Sequence, residues 1–274
     1  MPEPVAIPDT AQQDALYWLG QAGFRIDPGG HRVLIDPYPG DSLAVNYAGT
    51  KYPHTRMMPI PVSVAALPRP DVVLVTHAHT DHMDPDTLAP LAGRFPDCPF
   101  VVPAPAMDVA RLRIGQQARI VPINTDQAMQ PAPDLHITAF PAAHEARQLD
   151  DKGRDHFHGF GIRHNGQRLY HAGDSIPFPA LIERLGAFRP QYALLPVNGR
   201  DAQRRADGIP GNMTLDEAIA LCRTVEIPNL IPHHFGMFEF NTIDLQDIEA
   251  AAARVDAPDI IIPQALPRRI PLRG

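Results

Sequence analysis

Between Thr76 and Asp84 the chain reads Thr-His-Ala-His-Thr-Asp-His-Met-Asp, so His77, His79, Asp81 and His82 fall within six residues. Three imidazoles and a carboxylate without a thiolate form a donor set that suits zinc, manganese or iron, and ligand type alone does not choose among them. A cation held this way polarises carbonyl or phosphoryl oxygens and ionises water near neutral pH, which points first to hydrolysis. Surface histidines beside a turn are the ordinary alternative, and four candidate ligands in so short a stretch count against it.

The same pattern returns in fragments, each a histidine or aspartate just beyond a strand-like run. Leu135-His136-Ile137-Thr138-Ala139-Phe140 alternates as a strand and leads to His144. Gln167-Arg168-Leu169-Tyr170-His171 leads to Gly173 and Asp174, where glycine permits close backbone approach. Asn229-Leu230-Ile231-Pro232 leads to His233 and His234, either of which is placed to be a last ligand. Any one of these histidines alone would read as a hydrogen-bonded core or surface residue. The series reads as a cage.

The elements that must position these groups follow from apolar patterning. Asp71-Val72-Val73-Leu74-Val75 is long enough for a buried parallel strand and too short for a helix, which sets the first four ligands at a strand's carboxyl end. His77 and His79, two apart in extended chain, then point to one side. Asp84-Pro85 predicts a helix start with a side-chain cap and proline at the first helical position. That helix runs from Pro85 to Phe95 and is expected to be interrupted at Pro90. Ala15 to Ile26 and His31 to Asp36 read as paired strands turning at Asp27-Pro28-Gly29-Gly30. A strand at Phe100 to Val102 and a short helix at Ala106 to Leu112 follow the metal motif. Strands near Leu135, Phe157, Leu169, Tyr192 and Leu230 alternate later with helices at Pro179 to Leu185, Leu215 to Val225 and Asp244 to Val255. Thr214 with Glu217 makes a capping box for the second of these helices. Two β-rich halves with helices outside imply an α/β fold, a four-layer αβ/βα sandwich whose two mixed sheets bury one another's inner faces.

On these residues the chain resembles the metallo-β-lactamase superfamily of metal-dependent hydrolases, over nearly its whole length. The resemblance implies the same sandwich. It also implies one metal held by His77, His79 and His144, and a second held by Asp81, His82 and His234, with Asp174 bridging; His233 stays open as the alternative to His234. Leu169-Tyr170-His171-Ala172-Gly173-Asp174-Ser175, His158-Gly159-Phe160, Gly211-Asn212-Met213-Thr214 and Ile231-Pro232-His233-His234 are similar to the branch of L-ascorbate-6-phosphate lactonases. Leu19-Gly20-Gln21-Ala22-Gly23-Phe24 and Leu34-Ile35-Asp36-Pro37 are shared more widely, and His234-Phe235-Gly236-Met237-Phe238 is similar to phospholipase-D-like relatives that hydrolyse N-acyl phosphatidylethanolamines.

The leading expectation is therefore a hydrolase, with one or two divalent cations, that opens a small lactone or ester, a sugar-acid lactone or its phosphate among them. Asp174 is expected to bridge the cations, and Asp81 to serve as base if only one is bound. A phosphodiesterase of the phospholipase D type and an iron-dependent oxidoreductase are the alternatives, and a binding module without turnover is the fourth. Substrate contacts are sought at Asn198, Arg200, Arg204 and Arg205 beyond the strand Tyr192 to Pro196, and at Glu145 and Arg147 after His144; solvent-exposed ion pairs explain the charged ones equally well. His158 and His171 are candidates for catalysis or for orienting ligands. The irregular stretch Pro39 to Pro70 is either a wrapping loop or a substrate wall that draws on Tyr47, Tyr52, Met57 and Met58.

Bulk properties exclude more than they identify. With 274 residues, 44% of them hydrophobic, the chain has material for one large domain spanning 1–274, as ligands drawn from end to end require. A net charge of −7 disfavours a nucleic-acid surface, so a small-molecule substrate is expected. Two cysteines far apart, Cys98 and Cys222, suit a reducing compartment. Met1 to Asp9 lacks the pattern of a secretory leader and no run is long enough to span a bilayer, so the expected location is the cytoplasm. A homo-oligomer is left open.

Overall fold

In a computed structural model, which describes residues 14–264 and 269–272, two seven-stranded mixed sheets pack face to face with helices outside. The segment Met1 to Asp9 lies outside the described residues. The first half contributes β1 (Ala15–Gly20), β2 (Gly23–Asp27), β3 (Val33–Ile35), the short helix α1 (Ser42–Asn46), β4 (Val72–Leu74), α2 (Pro85–Arg94), β5 (Phe100–Pro103), α3 (Met107–Ile114) and β6 (Ile120–Ile123). The second contributes β7 (Ala128–Ala132), β8 (Leu135–Pro141), β9 (His158–His164), β10 (Gln167–His171), α4 (Pro179–Phe188), β11 (Tyr192–Pro196), α5 (Ala202–Ala206), α6 (Leu215–Thr224), β12 (Asn229–His233), α7 (Leu245–Ala252) and β13 (Asp259–Ile260). The last strand, β14 (Ile270–Pro271), returns to pair antiparallel with β1.

The strand orders β14-β1-β2-β3-β4-β5-β6 and β13-β12-β11-β10-β9-β8-β7 share one logic. Each sheet begins as antiparallel hairpins, β1 to β3 and β7 to β10, and continues as parallel strands, β3 to β6 and β10 to β13. Parallel neighbours need crossovers, which the helices supply, and every strand of a parallel run presents its carboxyl end at the same edge.

Alternation along β1 sorts side chains between layers. Leu16 and Trp18 face the other sheet and join Phe24, Ile35, Leu74, Phe160 and Ile162 in the central core. Ala15, Tyr17 and Leu19 face outward to meet Leu88 and Leu91 of α2 and Ala110 of α3. Burying one such leucine or phenylalanine contributes about 2 kcal/mol, so the inter-sheet layer dominates the fold's stability. Among the described residues no helix is long and apolar enough to cross a membrane.

Three local expectations are corrected. Ala15 to Ile26 is not one strand but a hairpin, because Gly20 (φ 92) and Gln21 (φ 51) turn the chain in left-handed conformations and bring Phe24 back opposite Trp18. Pro90 does not interrupt α2, which continues to Arg94; Leu88 and Leu91 on either side are fully buried, and that packing outweighs one lost backbone hydrogen bond. Asp84 precedes α2 with Pro85 in the first turn, but its carboxylate makes no bond to the helix backbone; it accepts from the hydroxyls of Thr87 (2.7 Å) and Ser42 (2.8 Å). The capping box of α6 is present, with both reciprocal Thr214 and Glu217 bonds formed. The short β6 and β7, outside the sequence reading, have little apolar patterning of their own and take strand form by pairing with β5 and β8.

Candidate metal centre

Five segments converge at one end of the two sheets: the chain after β3, the His77 to Asp84 turn after β4, and the residues just beyond β8, β10 and β12. After β4 the chain folds back on itself, with the amides of His82 and Met83 donating to the His79 carbonyl at 3.1 and 2.8 Å. His77 therefore lies against both neighbours, its ring centroid 4.5 Å from His79 and 4.0 Å from His82.

Asp174 sits at the centre. Its Oδ1 is 3.3 Å from Nε2 of His82, and its Oδ2 is 3.5 Å from Nε2 of His144 and 3.3 Å from Nε2 of His234. Asp81 closes one side, with Oδ2 at 3.7 Å from His82 and 3.8 Å from His234. Donor atoms of His77, His82 and Asp174 lie within 4.8 Å of one another, as do those of Asp81, His82 and His234. His79 completes the rim, exposed to the cavity with its ring 5.2 Å from that of His144.

Whether these groups suit a cation can be tested on their unmet needs. Nε2 of His77, Nε2 of His82 and Oδ1 of Asp174 are buried without a protein hydrogen-bond partner, a costly state for an empty polar pocket and a natural one for ligands. The opposite nitrogen of each ring is used to aim it. Nδ1 of His82 donates to Asp36 Oδ2 at 2.7 Å, and Nδ1 of His144 to the Gly211 carbonyl at 3.0 Å. Thr76 gives its hydroxyl proton to Asp36 (2.6 Å) and so accepts from Nδ1 of His77 at 3.0 Å. In all three, Nε2 is left bare and faces inward, which is the outer-shell arrangement that fixes metal-ligating histidines.

Electrostatics agree with that donor set. Burial, reinforced by neighbouring imidazoles, holds His77 well below its ordinary pKa. Burial also lowers His144. For His82 burial acts in the same direction, but the carboxylates of Asp174, Asp81 and Asp36 outweigh it and raise its pKa well above the ordinary value. Burial opposes ionisation of Asp174 and Asp81, and the facing His82 and His234 more than compensate, so both carboxyls fall below their usual range. Ionised carboxylates and neutral imidazoles at His77, His79 and His144 are the protonation states a divalent cation requires, whereas His82, proton-bearing among three carboxylates, must release its Nε2 proton to bind one.

The convergence is built with backbone strain. Gln21, Asp36 and His234 have φ of 51°, 42° and 61°, left-handed values uncommon outside glycine, and Gly173 has 59°. At Gly173 a Cβ would lie 2.7 Å from the His158 carbonyl oxygen and 2.8 Å from Thr76 Cβ, so only glycine admits this approach. His171 clips the same turn: its Nε2 donates to the Ala22 carbonyl (2.9 Å) and its Nδ1 accepts from the Gly173 amide (3.0 Å). With both nitrogens occupied, His171 ties down the turn that carries Asp174.

Other sequence candidates lie elsewhere. His233 is fully buried and stacks on His171 at 4.7 Å, and neither of its ring nitrogens joins the donor clusters, whereas His234 does. His158 is fully buried off the cavity, and burial lowers its pKa to about 4. Arg200 is held by both oxygens of Glu217 at 2.6 Å and by the Asn212 carbonyl. Arg204 pairs with Asp201 and Asn241, and Arg147 with Asp155. Asn198 bonds Asn241 and Asn212. Glu145 binds Arg205 and accepts the Gly211 amide at 3.0 Å, so it supports the residue whose carbonyl aims His144. None of Asn198, Arg200, Glu145 or Arg147 lines the cavity above the cluster.

That cavity, about 630 Å³, has His79, Asp81, His144, Asp174 and His234 at its floor and the Tyr47 to His54 segment with Phe238 and Phe240 on its wall. The irregular stretch thus lines the cavity through Tyr47 and Tyr52, while Met57 and Met58 line a separate apolar groove beside Trp18 and Phe235. Sequence reasoning assigned no role to Asp36, Gln21 or Thr76. Asp36 follows a strand as the candidate ligands do, and both it and Gln21 stand in shared motifs, which were usable signals; the Gln21 amide lies 3.0 Å from Asp81 Oδ2 and 3.2 Å from His234 Nε2.

Comparison with known proteins agrees with the geometry. Residues 31–235 match the family model described as the beta-lactamase superfamily domain. A UPF0173 metal-dependent hydrolase of Polaromonas sp. is 29% identical over 244 residues, covering 84% of this chain and 80% of the relative. The mitochondrial N-acyl-phosphatidylethanolamine-hydrolyzing phospholipase D of Saccharomyces cerevisiae is 28% identical over 81% of this chain, which spans 47% of that protein's length. Among solved structures, an isothiocyanate hydrolase from Delia radicum gut bacteria has the same fold, with a TM-score of 0.74 at 16% identity over 95% of this chain and 100% of that one. The CmlA diiron β-hydroxylase of Streptomyces venezuelae has it too, at 0.68 and 18% over 95% of this chain and 54% of that one. With its histidines and aspartates gathered at one sheet edge and the family model covering most of its length, the chain belongs to the metallo-β-lactamase superfamily and is a metal-dependent hydrolase.

Proposed function

We propose that the protein hydrolyses the ester or lactone carbonyl of a small, partly apolar substrate, using water activated at the His77, His79, Asp81, His82, His144, Asp174 and His234 cluster. The observation that carries this reading is the shared cavity: the cluster forms its floor and aromatic side chains form its wall, the usual composition of a small-molecule site. The lactone half rests on the resemblance of the Leu169 to Ser175 segment. Phosphorylated sugars fit less well, because the arginines read as a phosphate clamp are engaged by Glu217, Asp201 and Glu145 away from the cavity.

Bound divalent cations, zinc or manganese before iron, would supply a Lewis acid at the carbonyl and lower the pKa of water toward about 7. Asp174 faces His82 through one oxygen and His144 and His234 through the other, as a residue shared between two cations does. Asp81 is 17% exposed, lines the cavity and has its Oδ2 held by Gln21, so with a single cation bound it would be free to take the proton of the attacking water. Cys98 and Cys222 are buried free thiols off the cavity, so neither is placed as a nucleophile, and their free state suits the cytoplasm.

A phosphodiester is the second reading. It is supported by likeness to the yeast phospholipase D and by Arg113 on the cavity wall, which is anchored through the Ala78 and Met83 carbonyls and has no carboxylate partner among the described residues. Metal-loaded protein assayed on lactones, aryl and alkyl esters and bis-p-nitrophenyl phosphate separates the two. Carbonyl turnover lost in His77→Ala is the expected result. Phosphodiester turnover exceeding it by orders of magnitude would replace the first reading with the second, and inactivity on all three classes would sink both.

A further inference from the structure

The wall opposite the cluster is a pre-packed set of rings. His54 lies edge-on to Phe238 and Phe240 at 4.9 and 4.8 Å and tilts against Tyr47 at 4.3 Å. Tyr52 packs on Phe240 at 5.1 Å. The parallel rings of Phe238 and Phe240, 6.1 Å apart, are too close to admit a third ring between them, so buried Phe238 backs the set and a ligand meets Phe240, Tyr47 and Tyr52. The set is held by an ionic latch: Oδ2 of Asp207 accepts from Lys51 (2.6 Å), the Tyr52 hydroxyl (2.5 Å) and Gln203 (2.8 Å). The latch uses up the Tyr52 hydroxyl and balances the Lys51 charge.

Two polar atoms of the ring set remain to be used, the exposed Tyr47 hydroxyl and one nitrogen of His54. Nδ1 of His54 lies 2.9 Å from the Tyr52 carbonyl, which can only accept, so Nδ1 carries the proton. Burial lowers the pKa of His54, which keeps the ring neutral near pH 7. Nε2 therefore holds a lone pair, with no hydrogen-bond partner among the described residues.

We propose that Tyr47, Tyr52, His54, Phe238 and Phe240 form a subsite for an uncharged aromatic ring bearing a hydroxyl or N–H donor, with His54 Nε2 as the acceptor. This rests on the hydrolase reading and deepens it: the favoured substrates are hydroxyaryl esters or aryl lactones. Ring faces ordered before binding spare the ligand much of the cost of organising its site. The neutral acceptor selects a donor and rejects a phosphate or carboxylate at that position.

Non-hydrolysable amides test the subsite without turnover. Metal-loaded protein is titrated calorimetrically with 4-hydroxyacetanilide, acetanilide and N-cyclohexylacetamide, and with His54→Phe and Phe240→Leu variants whose metal content and melting temperature match the parent. Acetanilide is expected to bind about tenfold more tightly than the cyclohexyl amide, and the hydroxyl to add about fivefold. His54→Phe should erase the hydroxyl increment and keep the aryl preference, and Phe240→Leu should reduce the aryl preference. Equal affinities for the three amides, or increments unchanged in both variants, would overturn the subsite. Expected amide binding with no ester hydrolysis would sink the proposed function alone, and ester hydrolysis without aryl preference would sink the subsite alone.

Discussion

Asp36 Oδ2 lies 2.7 Å from Nδ1 of His82, and the same carboxylate holds the Thr76 amide at 2.8 Å and the Thr76 hydroxyl at 2.6 Å. One residue at the end of β3 thereby fixes the ring of one ligand and, through Thr76, that of His77. Asparagine tolerates the left-handed backbone at this position, so Asp36→Asn removes the charge with little conformational penalty. Affinity for the metal is expected to fall about 10- to 100-fold. Competition with a chromophoric chelator measures it, and parental affinity in the variant would show that Asp36 does not act through His82.

Gly173→Ala places a methyl group against the His158 carbonyl and Thr76 at a φ of 59°. A loss of about 2 kcal/mol in unfolding free energy is expected from the strained backbone and the clash together. Because Asp174 is the next residue, bound metal per chain should drop as well. Denaturant titration and metal analysis of the same sample read both, and a fully metallated variant of parental stability would contradict the account.

Gln21→Asn keeps a side-chain amide and a residue type tolerant of φ 51°, but withdraws the amide from Asp81 and His234. We expect kcat/KM to fall about tenfold, since Asp81 loses the bond that orients it. Metal content should be largely kept, because none of the donor nitrogens or carboxylates is removed. Steady-state kinetics beside metal analysis decides, and loss of the metal itself would mean that Gln21 supports the ligands and not the chemistry.

Chelation should both stop turnover and destabilise the fold. Ligand bound only to the native state adds about 2.7 kcal/mol at a hundredfold excess over its dissociation constant. The melting temperature is therefore expected to fall on treatment with a chelator and to rise with the concentration of returned metal. A melting temperature indifferent to metal would separate the cluster from any cation.

Asp155 is buried beside Arg147, whose guanidinium donates to both of its oxygens at 2.6 and 2.9 Å. Burial alone would raise the carboxyl pKa, but the bonds from Arg147 and Thr125 prevail and hold it below the ordinary value of 3.8. A depressed folded pKa contributes stability that is present above the unfolded value and lost as pH falls through the folded one. Arg147→Met removes the main lowering partner, so the variant should be less stable than the parent near pH 7, with the difference shrinking as pH falls through 3.8 and below. Thermal melts from pH 2.5 to 7 read the difference, and curves that superimpose over the whole range would deny the pair a role.

Much of this molecule is decided by local order in the chain. The run Asp71 to Val75 is too short and too apolar to be anything but a buried strand, and a strand with ligands at its carboxyl end already implies their position in an α/β fold. His77, His79, Asp81, His82, His144 and Asp174 could be picked out because each follows such a strand, and the alternation of strand and helix named the sandwich. The choice of His234 over His233 as the residue facing Asp174 and Asp81 needed the left-handed turn at His234, which swings consecutive side chains apart.

Partnership between charges was hidden for a different reason. Arg200 and Arg147 look alike in one dimension, as cations near a ligand, and only packing reveals Glu217 and Asp155 beside them. Gln21 meets Asp81 across 60 positions of sequence, and Asp36 meets His82 across 46. Local propensity carries no information about such distant pairs. The chain's own pattern determined which residue types could gather a cation and on which elements they stand. Tertiary structure alone decided which nitrogen of each ring faces inward, which carboxylate holds it there, and which aromatic wall a substrate meets, because hydrogen bonds and cavities are set by groups that only folding brings within a few ångströms.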